Sequence, residues 1–156
     1  MQVYMGLMDP ETEDARRGIE ATIPPGAVMV TGPQSTGTRL MCRILEAGGF
    51  TAWHDSKHGL VPRPVERVVA MEREIHATHA SIYENFVPED RIPIGMSLAG
   101  IRNSYPFAHR VNYDRLCLTP DWEIERLAAY LGVDPWPMPE PIIISHNTRR
   151  FTWRSF

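Results

Sequence analysis

The sequence predicts an α/β fold in three layers, with a mainly parallel sheet and helices on both faces. Three observations carry this. Short apolar runs at 28–31 and 67–71 have the length and composition of buried strands. Between and after them, apolar residues recur at helical spacing, at Leu40, Met41, Ile44 and Leu45 and again at Ile75, Ile82 and Phe86. A small-residue loop, Gly32-Pro33-Gln34-Ser35-Thr36-Gly37, joins the first strand directly to the first helix. In parallel α/β sheets such loops lie at the carboxyl ends of the strands, where ligands bind.

The elements follow in order. Residues 1–25 form an acidic, turn-rich arm around Asp9-Pro10-Glu11, with a short helix over 15–21 before Pro24-Pro25, and this arm packs on the domain or on another chain. Residues 26–156 form a single domain. Its first helix begins at the loop and stops at Gly48-Gly49, and residues 50–54 form a short second strand. A polar loop with His58, Gly59, Pro62 and Pro64 leads to the third strand at 67–71. The next helix, with Ile75, His79, Ile82 and Phe86 on its inner face, ends at Pro88. A strand ending near Asn112 and a helix from Pro120 to Leu131 follow, closed by Gly132. Pro135, Pro137, Pro139 and Pro141 enforce an extended path, Ile142, Ile143 and Ile144 form a last strand, and the tail is basic and aromatic.

With 156 residues, one core can remove roughly 70% of the unfolded chain's surface from water. The composition, 43% hydrophobic and 22% charged, is that of a globular protein, and the net charge of −3 without a long basic run argues against nucleic acid as a partner. Only Cys42 and Cys117 are present, which reads as two thiols in a reducing cytoplasm. Neither a membrane-length apolar run nor a signal-peptide pattern is seen, so a cytoplasmic location without membrane partners is expected.

The loop carries the chemistry. Gly32 and Gly37 admit backbone angles that turn successive N–H groups toward one anion, and the helix behind them adds its positive end. Against the nucleotide-binding pattern G-x-x-x-x-G-K-[ST], both glycines fit, but Thr38 stands in the lysine place and Arg39 in the place of the metal-binding hydroxyl. The fold is therefore P-loop-like while conventional NTP hydrolysis is disfavoured. An ordinary strand-turn-helix corner is the plain alternative.

Arg73 leaves the third strand and Ser81 follows eight residues later on the helix. Together with the loop, this pair resembles the sulfotransferases that use 3′-phosphoadenosine-5′-phosphosulfate (PAPS), whose loop is commonly G-x-x-[RK]-S-G-T. Tyr113-Asp114-Arg115-Leu116, Thr119-Pro120 and Leu131-Gly132 resemble a later segment of the same family. The resemblance spans most of residues 28–133. It implies that Gln34, Ser35, Thr36, Gly37, Thr38 and Arg39 hold the 5′-phosphosulfate, that Arg73 and Ser81 hold the 3′-phosphate, and that Arg149 and Arg150 reach the nucleotide from the tail. PAPS is the implied donor, with 3′,5′-ADP as product and no metal, and the acceptor is a small molecule or carbohydrate. Two positions depart from the pattern: Ser35 replaces the basic residue, and Glu74-Ile75 replaces Asp-Pro.

Transfer to a hydroxyl or amine needs a proton acceptor, and the family places a His or carboxylate after the second strand. His58, His54 and Asp55 occupy that zone, with His58 favoured because Gly59 allows close approach and Lys57 offers charge; a surface loop with incidental polar residues is the alternative. His76 and His79 share a helix face but lack further ligands at a zinc spacing, so His79 reads as a partly buried helix residue. Trp53 serves either as a ring to stack on adenine or as core. Rival functions are a nucleotide kinase, with Glu72 or Asp114 near magnesium, and a non-catalytic module that binds nucleotide or a partner.

Overall fold

A computed structural model describes residues 22–138. Residues 1–21 of the arm, the strand expected at 142–144, and Arg149 and Arg150 with the rest of the tail lie outside the described residues.

Four strands, β1 (Val28–Thr31), β2 (Ala52–His54), β3 (Arg67–Glu72) and β4 (His109–Asn112), form one all-parallel sheet in the order β2-β1-β3-β4. Among the described residues, five α-helices connect and flank them: α1 (Thr38–Ala47), α2 (Ile75–Asn85), α3 (Ile94–Ser104), α4 (Tyr113–Leu118) and α5 (Pro120–Leu131). Parallel strands need such crossovers, and a parallel sheet must be covered on both faces.

The strand register sorts the side chains into two layers. Val28 and Val30 of β1, Val69 and Met71 of β3 and Val111 of β4 face α1 and α5, whose Leu40, Met41, Ile44, Leu45, Ile124 and Leu127 complete the larger core. Met29, Trp53 and Val68 face the other way, against Tyr105 at the end of α3. Each aliphatic side chain so buried contributes about 1.5 to 3 kcal/mol. Trp53, 2% exposed, is thus core.

Two sequence expectations change here. The buried side of α2 is Thr78, Ser81 and Ile82, not the stripe through Ile75 and His79; Ile75 is 49% exposed and His79 is exposed. The segment 94–104, to which the sequence reading assigns no element, is the helix α3. Past α5 the chain runs back over α1, where the Trp136 indole N–H donates to the Ile44 carbonyl at 3.0 Å and Met138 is buried, so this stretch is part of the domain and not a linker. No helix among the described residues is long and apolar enough to cross a membrane.

Candidate functional site

Because all four strands run the same way, the residues that follow them gather at one edge: Gly32 after β1, Asp55 after β2, Arg73 after β3 and Tyr113 after β4. The chain leaves β1 toward β2 on one side and returns to β3 on the other, so the gap between the β1 and β3 ends is a topological switch point, where a crevice is expected. A cavity of about 600 Å³ opens there, lined by Ser35, Gly37, Thr38 and Arg39, by His54 and His58, by Arg73 and Ser81, and by Tyr113.

Backbone geometry shapes its floor. Gly32 (φ 147°), Ser35 (φ 64°) and Gly37 (φ 87°) all take positive φ. A Cβ on Gly37 would lie 2.6 Å from the Tyr113 ring. Gly37 is also the N-cap of α1, where it provides no side-chain cap. The first-turn amides of the helix therefore keep their donors for an anion. Thr38 begins that turn, and its Oγ1 shares a hydrogen bond with His54 Nε2 at 3.1 Å.

Arg73 spans the switch point. Its Nη1 donates to the Ser35 carbonyl at 3.1 Å, and its guanidinium carbon sits 4.8 Å from the centre of the Tyr113 ring. The following Glu74 caps α2, accepting from the His76 and Ala77 amides at 2.9 and 2.8 Å. Those amides hold its carboxyl below the usual 4.5, and this cap is what Glu74 does where the resembled family has Asp-Pro. Ser81 accepts at Oγ from Asn85 Nδ2 at 3.2 Å and is 8% exposed on the cavity wall. Arg39 and Arg73 bring two cations to the lining against the single carboxylate of Glu84.

The loop after β2 is organised by Asp55. Its buried carboxylate accepts from Thr31 Oγ1 (2.7 Å), the Gly59 amide (2.8 Å) and the Lys57 amide (3.1 Å). This clamp presents His58, at φ 51°, so that Nδ1 lies 2.9 Å from the Gly32 carbonyl. A carbonyl only accepts, so Nδ1 carries the proton of the neutral ring and Nε2 is the basic nitrogen. Gly59 does allow a close approach, but to α3: a Cβ there would meet Ile101 at 2.6 Å.

The expected site residues thus divide. Ser35, Gly37, Thr38, Arg39, Arg73, Ser81, His54 and His58 meet at the cavity. Gln34 does not; its amide donates to the Asp90 carbonyl and accepts from the Ile92 amide, both at 2.8 Å, and ties the loop to the segment before α3. Thr36 donates to the Pro33 carbonyl at 2.6 Å and faces a different cavity. Tyr113 and Asn85 were not among the expected site residues. A strand-ending pattern followed by an aromatic residue was the available signal for Tyr113, since every parallel strand delivers its next residue to this edge.

Neither protein-family models nor curated protein sequences give a match to the chain.

Proposed function

We propose that the chain is a cytoplasmic sulfotransferase that moves a sulfuryl group from PAPS to a hydroxyl or amine of a small-molecule or carbohydrate acceptor. The observation that carries this reading is the meeting of Ser35, Gly37, Thr38, Arg39, Arg73 and Ser81 around one cavity at the β1/β3 switch point. These residues come from separate motifs, and a nucleotide with phosphates at both ends needs two anion sites in one crevice.

The first-turn amides of α1 and the Thr38 hydroxyl suit the 5′-phosphosulfate, and Arg73 with Ser81 suits the 3′-phosphate. When bound, PAPS supplies the sulfuryl group and departs as 3′,5′-ADP. His58 accepts the acceptor's proton at Nε2, because Nδ1 is committed to Gly32. Arg73, bonded to the Ser35 carbonyl, also fastens the loop to the end of β3. Glu72 supports the kinase alternative poorly: it pairs with Arg110 at 3.5 Å and faces away from this cavity.

Calorimetric titration tests the reading. Adenosine 3′,5′-bisphosphate should bind without Mg²⁺ and more tightly than AMP; equal affinities would remove the 3′-phosphate assignment, and a preference for ATP-Mg²⁺ would favour the kinase. Turnover is then read from labelled PAPS with a panel of phenols, sugars and amines.

A further inference from the structure

A second cavity, of about 400 Å³, lies between the end of β3, α2 and α3, and Arg73 is the one lining residue it has in common with the first. Much of its wall is apolar. Ala70, Ile94 and Ile101 are 3 to 5% exposed, and Leu98 is half-buried beside them. Three arginines, Arg73, Arg102 and Arg110, line it against one carboxylate, Glu72.

The three cations are not equivalent. Arg110 is engaged by Glu72 at 3.5 Å, and Arg73 is held by the Ser35 carbonyl and the Tyr113 ring. Arg102, in the last turn of α3, has no ion-pair partner among the described residues. An apolar chamber of this size takes a ring or short alkyl body, and an unmatched guanidinium at its wall selects an anionic head, carboxylate best because the fork can bind both oxygens.

We infer that this cavity is a binding site for a small amphipathic anion, an aryl or short alkyl carboxylate, whose apolar body lies against Leu98 and Ile101 and whose carboxylate meets Arg102. Leu98, Ile101 and Arg102, the proposed contacts, do not line the first cavity, so the proposal stands or falls separately from the sulfotransferase reading.

The probes are 3-phenylpropionate and its uncharged counterpart 3-phenylpropanol, which share a body and differ in the head. Titration of the full chain by calorimetry, with amide chemical shifts to locate the site, should show the carboxylate binding at least about tenfold more tightly than the alcohol. Arg102→Glu, at an exposed position, should erase that preference, and Leu98→Trp should fill the chamber and abolish binding of both probes. Both variants should keep the wild-type melting temperature within a few degrees and bind 3′,5′-ADP as the wild type does. Absence of carboxylate binding, equal affinity for the alcohol, or carboxylate binding unchanged in folded Arg102→Glu and Leu98→Trp would each overturn the proposal. Carboxylate binding lost in both variants, in a chain that ignores 3′,5′-ADP, would uphold this site and remove the other.

Discussion

Thr38 Oγ1 and His54 Nε2 lie 3.1 Å apart with both side chains buried, so the first residue of α1 is fastened to the last residue of β2. The bond joins two sides of the cavity at the β1/β3 switch point. It also fixes the hydroxyl beside the first-turn amides, where an anion's oxygens would sit.

Thr38→Val keeps the shape and removes the hydroxyl, leaving a buried ring nitrogen one partner short. Stability should fall by about 1 to 3 kcal/mol in urea denaturation, and Thr38→Ser should retain most of it. Since the 5′-phosphate is common to both ligands, 3′,5′-ADP and AMP should weaken together. Unchanged affinity for both would take Thr38 out of the binding site.

Arg73→Ala should separate those two ligands. Loss of a charge-assisted bond to the 3′-phosphate should weaken 3′,5′-ADP by about 1.5 to 3 kcal/mol and AMP much less. The melting temperature should also drop modestly, because the Ser35 carbonyl and the Tyr113 ring both lose a partner. Arg73→Lys, which keeps charge but not the planar fork, should fall between. Equal weakening of both nucleotides would mean that Arg73 acts only by holding the loop.

Asp55 ties the loop after β2 together, and its amide variant tests whether that is its whole part. The carboxylate accepts three hydrogen bonds, from Thr31, Lys57 and Gly59, and is fully buried. Asp55→Asn turns an amide toward one of those donors, so stability should fall by at least about 2 kcal/mol. A general base at this position would instead lose turnover in the Asn variant while stability stayed near wild type.

Much of this edge was legible in the sequence because its cause is local. The buried strand, the glycines and the helix spacing place Gly37 and Thr38 without tertiary information, and a residue that ends a parallel strand must lie at the carboxyl edge, which locates Arg73 and His54. Helix α3 was hidden because Gly95 and Gly100 lower its intrinsic propensity and Pro93 precedes it. Gly100 is there for packing: a Cβ would lie 2.1 Å from the Gly59 carbonyl, so the helix and the His58 loop require that glycine for their contact. The roles of Gln34 and Asp55 were equally hidden, since their partners at residues 90 and 92, and at Thr31, are assembled only by the fold.

Gly37 and Gly49 have nearly the same φ, 87° and 88°, and differ in surroundings. A Cβ at Gly49 meets nothing within 4 Å, whereas at Gly37 it strikes Tyr113. Gly49→Ala should therefore cost only the left-handed strain, about 1 to 2 kcal/mol. Gly37→Ala should cost distinctly more and weaken 3′,5′-ADP, because Tyr113 or the loop must move. Equal costs would show that the ring yields freely.

His109 makes stability depend on pH near neutrality. Its ring stacks on Tyr130 at 5.2 Å, and Nε2 is buried without a hydrogen-bond partner among the described residues. Burial pushes its pKa below the usual 6.5, and the Arg126 charge adds to the shift. The folded chain thus prefers the neutral ring, and the unfolded chain binds the proton first as pH falls. This contribution is whole above pH 6.5, is lost as pH drops from there toward the folded-state value, and levels off below it. Urea midpoints measured between pH 7.5 and 5 should decline through that window, and His109→Phe, which keeps the stack and removes the titrating nitrogen, should flatten the decline. An equally steep decline in the variant would assign the acid sensitivity to other groups.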